Sequence, residues 1–206
     1  MESSLKNMVL VLFTITLLSS AAVGGVYTIT KEPIAQAKVA AVNNALKQVL
    51  PEYEATTSQT IEVNDMPIVA YTATVAGKAV GYAVESISKN GFGGAIRLMV
   101  GFDTKGTIIN INVLEQKETP GLGTKMAEEG NPLLLSLKDK RAYEVKMTVR
   151  KDGGDIDALT AATISSRAYA EAVAIAYEAF EVACGWQKEA DDVDTGATKQ
   201  EGGQNE

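Results

Sequence analysis

The sequence predicts an α+β protein: an amino-terminal transmembrane helix, then one domain built on a mainly antiparallel sheet with flanking helices. Three features predict it. Asn7–Thr30 runs without a charge, paired β-like stretches flank short turns, and from Ser165 apolar residues recur at helical spacing. With 206 residues and 46% hydrophobic content, the chain has material for one core of ordinary size.

The apolar start comes first. "NMVLVLFTITLLSSAAVGGVYTIT" exceeds the roughly 20 residues a helix needs to cross hydrocarbon. A secretory signal peptide also fits, with Lys6 ahead of the run and Ser19–Ala22 as small residues near a cleavage point. The retained helix is favoured, because Val23, Val26, Tyr27 and Ile29 carry the run past those small residues. Lys6 precedes the span and Lys31, Lys38 and Lys47 follow it, so charge alone does not fix the orientation. After Pro33, residues Ala35, Val39, Val42, Leu46, Val49 and Leu50 mark an amphipathic helix that continues the span and packs on the domain. Pro51 ends it.

Ile68–Gly77 and Ala79–Ser88 read as a hairpin about Gly77-Lys78, and Ala95–Asp103 and Thr107–Gln116 as a second about Lys105-Gly106. Tyr143–Arg150 alternates and predicts one more strand. Asn131 and Pro132 read as N-cap and first turn of a short helix. In the last helix Tyr169, Val173, Ala176 and Phe180, with Ala172, Ile175 and Ala179, make a buried face. Arg167, Glu171, Glu178 and Glu181 make a solvated one. The expected divisions are therefore residues 1–30 (short amino terminus and transmembrane helix), 31–60 (amphipathic helix and connector), 61–186 (the domain) and 187–206 (a disordered acidic tail).

Absences narrow the chemistry. A net charge of −7 argues against nucleic acid as a partner. With no histidine and one cysteine, Cys184, the chain has no Ser-His-Asp triad, Cys-His dyad or internal disulfide. It also carries neither a Walker-type phosphate loop nor a G-x-G-x-x-G fingerprint.

What remains is a hydroxyl cluster, "DALTAATISS" (Asp157–Ser166), between a Gly-rich turn and the last helix. The first turn of a helix has free N–H groups and the positive end of its dipole, which together attract anions. Thr163 sits just before that turn, and Ala161 and Ala162 allow a bulky group to approach the backbone. No Ser/Thr-x-x-Glu capping box follows Ser165 or Ser166. Local chemistry leaves two readings: a phosphate joined to Thr163 and held by adjacent amides, or Ser165 or Ser166 as a simple N-cap. The similar "DTGAT" (Asp194–Thr198) has no helix behind it to supply amides.

Asp157, Thr160, Ala161, Ala162, Thr163 and Ser165 fit the flavinylation motif Asp-x-x-[Ser/Thr]-[Gly/Ala]-Ala-Thr-x-[Ser/Thr] of FMN-binding domains, with Ala161 where glycine is commoner. Together with "GFGGAI" (Gly91–Ile96), "ETPGLGTK" (Glu118–Lys125), "KDGG" (Lys151–Gly154) and the membrane helix, the chain resembles the G-subunit family of Rnf electron-transport complexes. The C subunit of the sodium-pumping NADH:quinone reductase shares the flavin domain. The resemblance implies FMN joined covalently by a phosphoester to Thr163, with a flavin transferase delivering it from FAD. It also implies a single-pass protein of the cytoplasmic (inner) membrane with its flavin domain on the outer, periplasmic side. Its partners would be the lipid bilayer and the A, B, C, D and E subunits of Rnf, in a translocase that couples ferredoxin/NAD electron flow to ion movement. No catalysis is expected of the isolated chain. Thr160 and Ser165 accompany Thr163 at the cofactor. In "TPGLG" the Pro120-Gly121 turn is expected to expose N–H groups, Gly121 among them; Leu122 would offer an apolar surface, Thr119 a hydrogen bond to a flavin edge, and Lys125 a positive charge. The "GFGG" glycines read as a turn or bulge. The competing readings are an anchored extracytoplasmic scaffold or binding module with no cofactor, and the quinone-reductase C-subunit relative.

Overall fold

The computed structural model describes residues 4–185. One helix, α1 (Leu5–Val49), runs without a break through Pro33. It is long and apolar enough to cross a membrane, and its apolar side chains Leu10, Phe13, Leu17 and Val26 are exposed rather than packed in a core. The threonines in it are satisfied internally. Thr14 donates to the Leu10 carbonyl, Thr28 to Gly24 and Thr30 to Val26, each at 2.8 Å. That is how hydroxyls are tolerated where no water is available.

The expected amphipathic stripe is only half used. Ala45, Leu46, Val49 and Leu50 are buried against Ala73, Ala83 and Met99, with Val42 partly covered. Ala35 and Val39, expected in the same contact, are exposed. The packed segment is the last two turns, because the sheet reaches no further along α1.

Five antiparallel strands follow in the order β1-β2-β3-β4-β5: β1 (Ala55–Val63), β2 (Met66–Val75), β3 (Lys78–Ser88), β4 (Ile96–Phe102) and β5 (Ile108–Glu115). Both expected hairpins form. The β2–β3 turn falls on Ala76-Gly77, one residue before the expected pair, with φ of 50° and 76°. Asn64-Asp65 makes the β1–β2 turn in the same left-handed pattern, which suits the twist of the flanking strands. β1 was not foreseen and crosses the expected division at residue 60. Only Ile61 and Val63 of it are buried, so it carries almost no alternation.

The predicted strand over Tyr143–Arg150 does not form. Ala142–Glu144 and Arg150–Asp152 are 3₁₀ turns, and only Val149 makes a bridge, to Ile156. The open edge of β5 is already engaged at its start, where Ile108 donates to Lys140 and Asp139 donates to Ile108. The alternation arises because Val145 and Val149 are buried and Met147 packs on the core, not from a ladder.

The short helix α2 (Pro132–Leu135) has the expected cap, Asn131 Oδ1 accepting from Leu134 N–H at 3.0 Å. The last helix, α3 (Thr163–Cys184), lies across the sheet, burying Tyr169, Val173, Ala176 and Phe180. Phe180 stacks on Phe102 at 4.7 Å and meets Tyr82 edge-on at 5.4 Å. Gly185, with φ 63°, caps α3 in the left-handed conformation. The expected acidic tail lies outside the described residues.

Candidate functional site

The helix α3 begins two residues earlier than its periodicity implies, so Thr163 is its first helical residue. Ala162 stands at the N-cap and offers no side-chain acceptor. Among the described residues, no acceptor takes the N–H of Thr163, Ile164 or Ser165. Ser165 and Ser166 are not caps. Ser166 donates to the Ala162 carbonyl at 2.8 Å and accepts from Leu159 N–H at 2.9 Å, and both serines are buried. The donors at the helix start are therefore left to whatever sits in front of them.

In front lies a cleft of about 400 Å³, lined by Phe92, Thr119, Leu122, Ala161, Thr163 and Ile164, with Gly123, Ala162 and Ser165 completing it. This is within the roughly 300–1,000 Å³ of small-molecule sites. Its walls are apolar side chains facing outward: Phe92 is 68% exposed, Ile164 48% and Leu122 39%. The half-buried Thr163 hydroxyl and the helix-start amides, unpartnered among the described residues, together with apolar walls suit a ligand with a phosphate at one end and a flat ring at the other. FMN is such a ligand.

Three segments bring these walls together. The β3–β4 connection carries Phe92, and its near end is fastened by Glu171, which accepts from Ser88 Oγ and from Asn90 Nδ2 at 2.8 and 2.9 Å. Glu171 thus works in the domain rather than on a solvated face. The loop after β5 carries Thr119 and Leu122. It turns through Pro120-Gly121, with Gly121 at φ 75° and Leu122 N–H donating to the Thr119 carbonyl at 3.2 Å. The expectation of exposed amides there is corrected: Gly121 N–H donates to Thr124 Oγ1 at 2.9 Å, so the turn consumes its own donors. The third segment is the approach to α3. Ala161 adopts φ 59°, a conformation favouring glycine, and Arg150 pairs with Asp157 at 2.5 Å.

The structure therefore gathers Thr163, Thr119, Leu122 and Ser165 at one cleft. Thr160 is exposed and off the lining, as are Gly121 and Lys125. The Ser165 hydroxyl points to Glu118, not into the cleft.

Residues 91–178 match the family model described as FMN-binding domain. The G subunit of the ion-translocating oxidoreductase complex of Shewanella amazonensis is 34% identical over 194 residues, covering 84% of this chain and 86% of that protein. That of Vibrio vulnificus is 36% identical over 157 residues, covering 70% and 74%, and that of Vibrio cholerae 32% identical over 190 residues, covering 86% and 91%. The chain belongs to this G-subunit family.

Within this G-subunit chain the FMN-binding domain spans from the Phe92 loop to Glu178 in α3, taking in every wall of the cleft. Sequence reasoning missed Phe92, Ile164 and Glu118. The available signal for Phe92 was an aromatic set among glycines, which supply no side chains to bury it.

Proposed function

We propose that this chain is the membrane-anchored electron-transfer subunit of an Rnf-type ion-translocating complex, carrying FMN esterified to Thr163. The observation that carries the reading is the Thr163 hydroxyl at the first turn of α3, at the mouth of an apolar cleft, with neither it nor the adjacent amides partnered among the described residues. In the attachment step Thr163 Oγ attacks the flavin-side phosphorus of FAD. The Oγ–P bond forms, the pyrophosphate P–O bond breaks, AMP leaves and the hydroxyl proton is lost to a base of the flavin transferase. No electron changes hands. The amides of Thr163, Ile164 and Ser165 would hold the phosphate, and Phe92, Leu122 and Ile164 would cover the ring. When bound, the isoalloxazine supplies the electron acceptance and donation that side chains without histidine and with a single cysteine do not offer.

The G-subunit relatives support membership of a multi-subunit complex, for which the A, B, C, D and E subunits are the proposed partners. Ferredoxin/NAD chemistry and ion movement belong to the assembly, and the flavin domain lies on the outer face. Covalent attachment suits that face, because a dissociable FMN would be lost by mass action wherever free FMN is scarce. The test is in-gel flavin fluorescence after denaturation, from cells expressing the transferase. Wild type and Thr198→Ala give a fluorescent band and Thr163→Ala a dark one; a fluorescent Thr163→Ala band refutes the site.

A further inference from the structure

Behind the cleft lies the carboxylate of Glu118, the first residue of "ETPGLGTK". Glu118 is 5% exposed. One oxygen, Oε1, accepts from Gly93 N–H at 3.0 Å, and the other accepts from the Ser165 hydroxyl in a short contact. The Glu118 N–H donates to Gln116 Oε1 at 2.7 Å. Both carboxyl oxygens act as acceptors. Among the described residues, no Lys or Arg forms an ion pair with it.

Three glycines enclose this side chain. A Cβ on Gly91 would lie 2.7 Å from Glu118 Oε1. One on Gly123 would lie 2.7 Å from Glu118 Cβ and 2.7 Å from Ser165 Oγ. One on Gly93 would fall 1.8 Å from the Lys117 carbonyl oxygen. None of the three has a positive φ, so the backbone conformation does not call for glycine. Space for Glu118 and the backbone around it does. Gly91, Gly93 and Gly123, drawn from two separate motifs, thus all crowd Glu118 or the backbone beside it, while Gly94 and Gly121 are set apart by positive φ.

A buried carboxylate without a cation is costly, and an apolar side chain would serve stability as well. What an apolar residue cannot do is bind three segments at once. Glu118 ties the Phe92 loop through Gly93, its own Thr119–Leu122 turn through the backbone, and α3 through Ser165, and each segment carries one wall of the cleft. Resting on the flavin reading above, we infer that Glu118 is the positioning residue of the cleft. It sets Phe92 and Leu122 against Thr163, and places a fixed negative charge behind the first turn of α3.

The test uses the full chain in detergent, with purified transferase and FAD, comparing wild type, Glu118→Gln and Ser165→Ala. Misplacement of reacting groups by an ångström costs about a hundredfold in rate, so the initial rate of flavin transfer falls about tenfold to a hundredfold in Glu118→Gln. The thermal midpoint stays close to wild type, and the midpoint potential of the flavin that does attach moves positive, since a negative charge beside it is gone. Ser165→Ala keeps the charge but loses the tie to α3; it slows transfer without the shift in potential. If Glu118→Gln fails to fold, the Ser165→Ala transfer rate decides. A wild-type chain that takes no flavin overturns the flavin reading and this inference with it. A wild type that is loaded, beside variants loaded equally fast, overturns this inference alone.

Discussion

The Val49 carbonyl oxygen occupies the space that a side chain on Gly101 would need, 1.9 Å from where its Cβ would stand. The last turn of α1 therefore rests on the backbone of β4, and Pro51 Cδ approaches Gly81 in the same way, 3.0 Å from its would-be Cβ. This contact joins the membrane helix to the sheet. Gly101→Ala forces backbone apart, for which overpacking costs of about 1–3 kcal/mol are usual. Denaturant unfolding of the full chain in detergent measures it; an unchanged midpoint would mean that α1 is not seated there.

Ala161 holds φ 59° on an exposed turn before Thr163. A side chain in this conformation costs roughly 1–2 kcal/mol. Glycine removes that strain and returns part of the gain as chain entropy. Ala161→Gly is expected to stabilise by about 0.5–1 kcal/mol, read from thermal unfolding, with flavin attachment retained. Destabilisation would show that the alanine methyl is packed rather than strained.

These positions mark what a linear reading reaches. The membrane helix, both hairpins and α3 were legible because each has its own period or turn chemistry. β1 was not: Thr56, Thr57, Ser58, Gln59 and Thr60 carry no apolar face, and an edge strand buries too little to need one. Tyr143–Arg150 misled, since Val145, Met147 and Val149 can alternate inward in an irregular segment as well as in a strand. The hydroxyl cluster pointed to the start of α3 because small residues and threonines before a helix are chemically unusual. Phe92 and Glu118 did not stand out. A phenylalanine reads as core and a glutamate as surface, and only the fold reverses the two.

Phe92 is 68% exposed, so removing it should cost little stability, within about 0.5 kcal/mol for a surface position. Its ring forms a wall of the cleft beside Thr163. In Phe92→Ala, the attached flavin is expected to be more accessible to a soluble fluorescence quencher such as iodide, with the thermal midpoint unchanged. Equal quenching in both proteins would remove Phe92 from the ring's surroundings.

Arg167 donates to both carboxyl oxygens of Asp152, from Nε at 2.7 Å and from Nη2 at 2.8 Å. This pins the Lys151–Gly154 turn to α3 just beyond Thr163. The hydrogen bonds from Arg167 hold the Asp152 carboxyl below its ordinary value of 3.8. A carboxyl depressed on folding contributes stability that is complete above its unfolded value and lost as pH falls through the folded one. The thermal-midpoint gap between wild type and Asp152→Asn should therefore be constant from neutral pH down toward 3.8 and close below it. The gap is small, because the pair faces solvent. A gap that widens in acid would reverse the assignment.

The orientation prediction sets the outer-face reading against the lysine count. Lys6 precedes the span, while Lys31, Lys38 and Lys47 follow it within α1, which taken alone would retain the domain inside. Translocated domains override such short-range charge, and the proposed outer-face location would require that they do so here. A protease added to spheroplasts should then digest the sheet domain, leaving a fragment that ends in α1. The exposed stretch of α1 around Ile34 and Val39 is the accessible junction. In inverted vesicles the same protease should leave the domain intact. Protection in spheroplasts with digestion in inverted vesicles would place the flavin domain inside, and with it any electron partner.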